Sequence, residues 1–102
     1  MRDVQKEIGE LVAQNRVVLF MKGSKVMPQC GFSAAAVQIL NLYTPEFVTV
    51  DVLKDMDIRQ GVKEFSSWPT IPQLYIGGKF IGGSDILREL HASGELEKLL
   101  VQ

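Results

Sequence analysis

Apolar residues recur along the chain with two different periods, and these periods predict the order of helices and strands. Residues 3–14 carry apolar side chains at helical spacing, which predicts an amphipathic helix. Residues 17–20 form a short, continuous apolar run, which is typical of a strand buried on both faces. Glycine, serine and proline mark residues 22–29 as a loop. A helix, a strand and a loop are therefore predicted in this order.

The same periods continue through the rest of the chain. The further predicted elements are a helix over residues 31–43, a strand over 47–52, a helix over 57–65, strands over 73–76 and 79–81, and helices over 85–92 and 95–101. Pro45 is expected to end the first of these helices, and Asp55 or Asp57 to cap the next. The Gly77-Gly78 pair between the two short strands is a strong hairpin signal.

This order of elements predicts the fold class. A β-α-β unit followed by a helix and a hairpin implies an α/β fold with a mixed four-stranded sheet and helices on both faces. Four apolar side chains of the helix over residues 31–43 are expected to face the core: Phe32, Ala36, Val37 and Leu40. The length of 102 residues suits one domain spanning residues 1–102.

Composition and charge narrow the functional classes. Apolar residues make up 46% of the chain and charged residues 23%, which is ordinary for a globular protein. The net charge of -1 lacks the basic balance of a nucleic-acid-binding protein, and no apolar run approaches the roughly 20 residues of a membrane span. The charged residues that follow Met1 argue against a secretory signal. We therefore expect neither nucleic acid nor a membrane as a partner.

Cys30 is the only cysteine of the chain and lies in the run Gln29-Cys30-Gly31-Phe32-Ser33. Because Ser33 occupies the position of a second cysteine, Cys30 cannot form a disulfide within the chain and must act with an external sulfur or a metal. The free N–H groups and the dipole of a helix that begins at Gly31 favour a thiolate, and Lys22 is the best-placed cation to strengthen this effect. The alternative interpretation is a buried, inert cysteine.

The run Trp68-Pro69-Thr70-Ile71-Pro72 has a functional and a plain structural interpretation. A cis peptide bond before Pro72 would turn the backbone of Ile71 outwards, where it could pair with an extended peptide in the manner of strand addition. In the alternative, the segment is an ordinary proline-containing start of a strand. Both interpretations stay open on physical grounds.

Three other features have the same ambiguity. Gly82-Gly83-Ser84-Asp85 offers N–H groups to a carboxylate and an acidic side chain to an amine, or else Ser84 or Asp85 simply caps a helix. Arg59 is either a surface charge or a carboxylate clamp. His91, the only histidine, has no set of metal-binding partners and is expected to be solvated.

The sequence motifs described above together closely resemble those of the monothiol glutaredoxins of the Cys-Gly-Phe-Ser type. The matching runs, in the order of the family, are Phe20-Met21-Lys22-Gly23, Pro28-Gln29-Cys30-Gly31-Phe32-Ser33, Trp68-Pro69-Thr70-Ile71-Pro72-Gln73 and Gly82-Gly83-Ser84-Asp85-Ile86. They extend over nearly the whole chain, and the long segment between Lys22 and Cys30 matches this class and not the dithiol glutaredoxins. The resemblance implies a thioredoxin-like (glutaredoxin) fold with a cis proline at Pro72.

The resemblance also implies a groove for glutathione. Lys22 and Arg59 are implied to hold the glycine carboxylate of glutathione, and the Ile71 backbone is implied to pair with its cysteinyl unit. Cys30 would face the glutathione sulfur, and residues 84–85 would hold the γ-glutamyl end. The complete implied glutathione site is Lys22, Cys30, Gly31, Phe32, Arg59, Thr70, Ile71, Pro72, Gly83, Ser84 and Asp85.

Members of this family commonly assemble a [2Fe–2S] cluster between two protomers. Such a cluster needs four ligands, normally thiolates, and one chain supplies only Cys30. Two chains and two glutathione molecules supply four, so the resemblance implies a homodimer in which Cys30 and glutathione bind the metal. A cluster held in this way should be labile enough for transfer to recipient proteins. The family also binds BolA-like regulators, and no residue of this sequence tests that partner.

One departure from the family concerns Ser84, because many relatives carry a second cysteine at this position. A disulfide between that position and Cys30 is impossible in this chain. Any oxidised form should therefore be a mixed disulfide with glutathione or an intermolecular dimer.

Three functional hypotheses follow. The first is a glutathione-binding carrier that transfers a [2Fe–2S] cluster, in iron–sulfur cluster assembly and iron homeostasis. The second is a glutathione-dependent thiol–disulfide oxidoreductase that removes glutathione from proteins, with Cys30 as its catalytic nucleophile. The third is a metal-free interaction module. A single cysteine suits a reducing compartment, so we expect the cytoplasm, or an organelle matrix if a transit peptide has been removed.

Overall fold

The computed structural model describes residues 1–44 and 46–101, and their secondary structure follows the predicted order αβαβαββαα. The helices are α1 (Val4–Gln14), α2 (Gly31–Tyr43), α3 (Met56–Ser66), α4 (Ser84–Ser93) and α5 (Glu95–Leu100). The strands are β1 (Val17–Met21), β2 (Val48–Asp51), β3 (Gln73–Ile76) and β4 (Lys79–Gly82). Pro45, which was expected to end α2, lies outside the described residues.

The strands form one mixed sheet in the order β2-β1-β3-β4, as predicted. Strand β1 pairs parallel with β2, so that Met21 lies beside Asp51. It pairs antiparallel with β3, which places Phe20 beside Gln73, and β3 pairs antiparallel with β4. The carboxyl ends of β1 and β2 and the amino end of β3 therefore meet at one edge of the sheet.

Helices cover both faces of the sheet, which confirms the predicted α/β architecture. Helices α1 and α3 pack on one face, in a core formed by Ile8, Val12, Val18, Phe20, Val52, Ile58, Val62, Ile71 and Tyr75. Helices α2, α4 and α5 pack on the other face, in a core formed by Val17, Leu19, Met21, Ala36, Val37, Leu40, Phe47, Leu74, Ile76, Leu87, Leu96 and Leu100. Because β1 lies between the two layers, all five of its residues are buried, as its continuous apolar run predicts.

The prediction that Phe32 faces the core is wrong, because this side chain is 54% exposed. The buried stripe of α2 consists of Ser33, Ala36, Val37 and Leu40, which follow the spacing of one helix face. Phe32 lies beside this stripe in the first turn of the helix, next to Cys30. The other three apolar side chains predicted to face inward are buried.

The first residues of α3 and α4 show which residues cap these helices, a point that the sequence left open. Asp55 caps α3, because its carboxylate accepts hydrogen bonds from the backbone N–H groups of Asp57 and Ile58. The N-cap of α4 is Gly83, so the alternative in which Ser84 or Asp85 is the capping residue is wrong. The N–H groups at the start of α4 therefore face the region in front of this turn.

His91 is not a freely solvated side chain, which corrects the expectation from the sequence. It is half-buried, and its Nδ1 atom lies 2.5 Å from the hydroxyl oxygen of Tyr43, near the end of α2. The two rings meet edge to face with 5.6 Å between their centroids. This contact joins α2 to α4, on the helix layer that carries Cys30.

Candidate functional site

The loop between β1 and α2 is folded back on itself and places Cys30 beside the end of β1. The backbone N–H of Gln29 donates to the carbonyl of Lys22 at 2.8 Å, and Gly23 pairs with Pro28 as an isolated β-bridge. Gly23 has a φ of 91°, and a Cβ atom there would lie 2.5 Å from the backbone nitrogen of Gln29. Glycine is therefore required at this position by both its conformation and its close packing.

Cys30 is the N-cap residue of α2 and is partly exposed, so the alternative of a fully buried, inert thiol is wrong. The pKa of its thiol is lowered, mainly by the backbone N–H of Ser33 at the start of the helix. The N–H of Phe32 and the positive charge of Lys22 lower this pKa further, against the opposing effect of burial. Direct interaction with N–H groups thus contributes more than the cation that the sequence singled out.

Ser33, at the position of the second cysteine in dithiol sites, has a structural role of its own. Its side chain is fully buried, and its Oγ atom accepts a hydrogen bond of 3.1 Å from the backbone N–H of Lys22. This bond fixes the first turn of α2 against the end of β1. The thiol of Cys30 and the ammonium group of Lys22 are therefore carried by two segments that are tied together.

The peptide bond between Ile71 and Pro72 is cis, which settles the alternative that the sequence left open. Both residues are buried, and they lie directly before β3, which begins at Gln73. The segment of residues 66–72 that precedes β3 leads from the end of α3 to the edge of the sheet where Cys30 lies.

The start of α4 closes the other side of the site. Gly83 packs against the indole of Trp68, and a Cβ atom on Gly83 would lie only 2.9 Å from the Nε1 atom of Trp68. Ser84 and Asp85 follow in the first turn of α4, where the N–H groups and the helix dipole favour an anion. Asp85 is exposed and adds a negative charge to this end of the site.

These segments enclose a groove of about 500 Å³. It is lined by Lys22, Cys30, Phe32, Lys63, Pro69, Thr70, Ile71, Pro72, Ser84 and Asp85. Eight of these ten residues belong to the glutathione site implied by the sequence, and their roles towards glutathione stay predictions. Gly31 and Gly83 lie next to lining residues in the backbone, whereas Arg59 is not part of the lining.

Sequence reasoning missed Lys63 and Pro69. Lys63 lies one helical turn after Arg59 on α3, and this spacing of four residues was the signal that pointed to it. Arg59 is half-buried, and among the described residues its Nε atom is a buried donor without a hydrogen-bond partner. Lys22 and Lys63 thus give the groove two positive charges, while Asp85 gives it a negative one.

A larger depression of about 660 Å³ lies between α1 and α3, but it lacks chemistry of this kind. Its lining includes Arg2, Asp57 and Glu64 and excludes the thiol. Over residues 1–44 and 46–101, no group of three histidine, cysteine, aspartate or glutamate side chains converges as a metal site. The groove that contains Cys30 is therefore the better candidate for a functional site.

Comparison with known proteins identifies the family. A family model for glutaredoxins matches residues 17–81. An uncharacterised monothiol glutaredoxin of Synechocystis sp. is 56% identical over 98 residues, which cover 96% of this chain and 92% of the relative. The chain belongs to the monothiol glutaredoxin family. This glutaredoxin is also 52% identical over 99 residues to the mitochondrial monothiol glutaredoxin-5 of Schizosaccharomyces pombe, covering 94% of this chain and 68% of that relative.

Solved structures confirm that this glutaredoxin has a thioredoxin-like fold. The solution structure of reduced, apo GrxS14 of poplar superimposes with a TM-score of 0.81 at 50% identity, covering 93% of this chain and 87% of that one. The crystal structure of a buckwheat glutaredoxin–glutathione complex superimposes with a TM-score of 0.83 at 26% identity, covering 95% and 86% of the two chains. The four-stranded mixed sheet and the helices on both of its faces are shared features of this fold.

Proposed function

We propose that this glutaredoxin binds glutathione and, as a homodimer, carries a [2Fe–2S] cluster for transfer to recipient proteins in iron–sulfur cluster assembly and iron homeostasis. The observation that carries the proposal is a single, partly exposed thiol with a lowered pKa in a groove that is lined by two lysines and an aspartate. Glutathione has a carboxylate at its glycine end and both an amine and a carboxylate at its γ-glutamyl end. The charges of the groove match this distribution.

Each part of glutathione has a candidate partner in the groove. Lys22 and Lys63 would pair with the glycine carboxylate, and Arg59 retains this role as a proposal because its Nε atom is buried without a partner in the described chain. The Ile71 backbone would pair with the cysteinyl unit by strand addition. Cys30 would then lie beside the glutathione sulfur.

The γ-glutamyl end is assigned to the start of α4. Its carboxylate would bind the N–H groups at Gly83 and Ser84, where the helix dipole is favourable. Its amine would pair with the carboxylate of Asp85. Phe32 and Thr70 would form the walls of the groove between the two ends, with Gly31, Pro72 and Pro69 beside them.

The cluster is cargo in this proposal, and its ligands follow from the number of available thiolates. A [2Fe–2S] cluster takes four ligands, and each protomer supplies only Cys30. A glutathione molecule bound in each groove would supply one thiolate more, so that two protomers complete the set. Cys30 fits this role because its thiolate is stabilised and partly exposed. A BolA-like protein is a further proposed partner.

Anaerobic reconstitution with iron, sulfide and glutathione tests this proposal. The wild-type protein should give the visible absorption of a [2Fe–2S] cluster and elute as a dimer, because the cluster bridges two protomers. Cys30→Ser should give neither, since it removes the only thiol of the chain. Equal cluster formation in the absence of glutathione would contradict the proposed ligands.

The second hypothesis, a glutathione-dependent oxidoreductase with Cys30 as nucleophile, is not favoured by the comparisons. The lowered pKa of Cys30 is compatible with both functions, because a thiolate is both a metal ligand and a nucleophile. Rapid turnover of a glutathionylated protein by the cluster-free form would support the second hypothesis. We propose this reaction only as a weak side activity.

The cytoplasm or an organelle matrix is proposed as the compartment. Relatives include a mitochondrial protein of Schizosaccharomyces pombe and a chloroplastic one of Oryza sativa. Among the helices that the structure describes, none has both the length and the apolar character needed to cross a membrane. We also propose that residues 1–102 act as a single glutaredoxin domain.

A further inference from the structure

Gln73 is one of two polar residues among the fully buried side chains of the described chain, the other being Ser33. It begins β3, directly after the cis peptide bond, and pairs with Phe20 of β1, the other central strand of the sheet. A buried amide in such a position is costly unless each of its polar atoms has a partner. The surroundings of Gln73 meet this condition.

The amide nitrogen of Gln73 donates two hydrogen bonds to the segment in front of β3. Its Nε2 atom lies 3.0 Å from the carbonyl oxygen of Trp68 and 3.2 Å from that of Thr70. Both acceptors belong to the loop that carries Pro69 and Ile71 into the groove. One side chain therefore fixes two backbone carbonyls of the groove wall from behind.

The oxygen of this amide also has a partner. Tyr75 donates its phenolic O–H to the Oε1 atom of Gln73 at 3.1 Å. Burial raises the pKa of Tyr75, so the phenol stays protonated and able to donate. The two carbonyl acceptors fix the orientation of the amide, because a rotation by 180° would turn its oxygen towards the carbonyl oxygens of Trp68 and Thr70.

The same segment supports the opposite wall of the groove. The backbone N–H of Trp68 donates to the Oγ atom of Ser66 at 3.1 Å, which ties the segment to the end of α3. The Trp68 indole packs against Gly83, the N-cap of α4. A displacement of Trp68 would therefore reach the start of α4 as well as Ile71.

We propose that Gln73 is a positioning residue of the groove, which holds the backbone of Trp68 and Thr70 so that Ile71 presents its N–H and C=O to the cysteinyl unit of glutathione. This inference rests on the proposed glutathione-binding function. Gln73 does not line the groove, and it acts only through the backbone of this segment.

The test compares the wild-type protein with Gln73→Met, which keeps the length of the side chain and removes all three hydrogen bonds. Reduced glutathione is titrated into the reduced, cluster-free protein and followed by nuclear magnetic resonance. The affinity should fall on the order of tenfold, the cost of about one lost buried hydrogen bond. The backbone order parameters of Thr70 and Ile71, measured from amide relaxation, should be lower than in the wild type because the segment is held less firmly, while the pKa of Cys30 stays unchanged.

Gln5→Met is the matched control. Gln5 also donates its Nε2 atom to a backbone carbonyl, that of Gly61 at 2.8 Å, but on the α1–α3 side of the molecule. This variant should lose stability without losing glutathione affinity. Tyr75→Phe is a second variant that removes only the donor to Oε1, and it should weaken glutathione binding in the same direction but less.

The outcomes separate the two proposals. If the wild type binds glutathione and Gln73→Met binds it equally well, with unchanged order parameters at Thr70 and Ile71, the positioning role of Gln73 is wrong. If the wild type shows no glutathione-dependent shifts at groove residues, the proposed function is wrong. The order parameters of the cluster-free protein still decide in that case whether Gln73 holds the segment. A fall in affinity together with a shifted Cys30 pKa would indicate general loosening and contradict the inference.

Discussion

At the residue scale, the reactivity of Cys30 depends on its position at a helix start. The N–H of Ser33 lowers its pKa most, then that of Phe32, and the charge of Lys22 contributes after them. These N–H groups are available because an N-cap residue faces the unpaired donors of the first helical turn. The thiolate is therefore stabilised mainly by the backbone, which a side-chain substitution does not remove.

Replacing Lys22 should have a limited effect for this reason. Lys22→Met removes a favourable positive charge, so the pKa of Cys30 should rise by less than about one unit. The pH dependence of alkylation by iodoacetamide measures this pKa. Lys79→Met is the matched control. Lys79 is exposed and is the first residue of β4, at the end of the strand away from Cys30, so this variant should leave the profile unchanged. A rise to the ordinary pKa of a thiol in Lys22→Met would show that the charge dominates over the N–H groups.

At the element scale, the contact between α1 and α3 depends on one glycine. Gly61 of α3 faces α1, and a Cβ atom there would overlap Cγ1 of Val4 and lie 3.2 Å from Cδ1 of Ile8. Gly9 of α1 has no such constraint, because the nearest atom to its Cβ position belongs to Phe65 at 3.8 Å. The two glycines occupy interior positions of neighbouring helices, yet their packing differs.

Alanine at these two positions should change stability in opposite directions. Gly9→Ala should raise the free energy of unfolding by up to about 1 kcal/mol, because alanine favours the helix and fits the available space. Gly61→Ala should lower it by about 1–3 kcal/mol, because the overlap with Val4 forces the helices apart. Urea denaturation at neutral pH measures both changes. Stabilisation by Gly61→Ala would show that α1 and α3 separate at little cost.

At the scale of the whole molecule, Arg2 connects residues that are remote in the sequence. Its guanidinium pairs with Glu7 at 2.6 Å and with Asp55 at 2.7 Å, and so joins α1 to the N-cap of α3. The hydrogen bonds of Arg2 are the main cause of the lowered pKa values of both carboxyl groups. All of these groups are on the surface, so the pairs contribute little on their own and are weakened by salt.

The pH dependence of this contribution has a definite sign. Because both carboxyl pKa values are lowered in the folded state, the stabilisation is complete above about pH 5 and is lost as the pH falls through the folded values. Wild type should therefore exceed Arg2→Gln in its urea midpoint at about pH 7, and the difference should vanish near pH 2. Arg16→Gln is the control, because Arg16 donates to the carbonyl of Leu99, which does not titrate. A difference for Arg2→Gln that is independent of pH would contradict the ion-pair explanation.

The sequence by itself determined the order of the elements and most of the groove. Helix and strand periods are local properties of neighbouring residues, so every element was found, with boundaries that shift by only a few residues. The groove residues lie in short motifs that the resemblance to the family singled out, although local patterns alone left several of their conformations open. The helix that starts after Cys30 was predicted from its period, whereas the cis bond before Pro72 and the cap of α4 were decided by the structure.

Only the tertiary structure decided which side chains meet across the sheet. Phe32 is exposed because the buried stripe of α2 begins at Ser33, and Lys63 reaches the groove because α3 packs beside the segment before β3. The hydrogen bonds from Gln73 to the carbonyl oxygens of Trp68 and Thr70 likewise appear only when β3 is in place. Such contacts depend on the pairing and packing of segments that are distant in the chain, and the period of neighbouring residues carries no information about them.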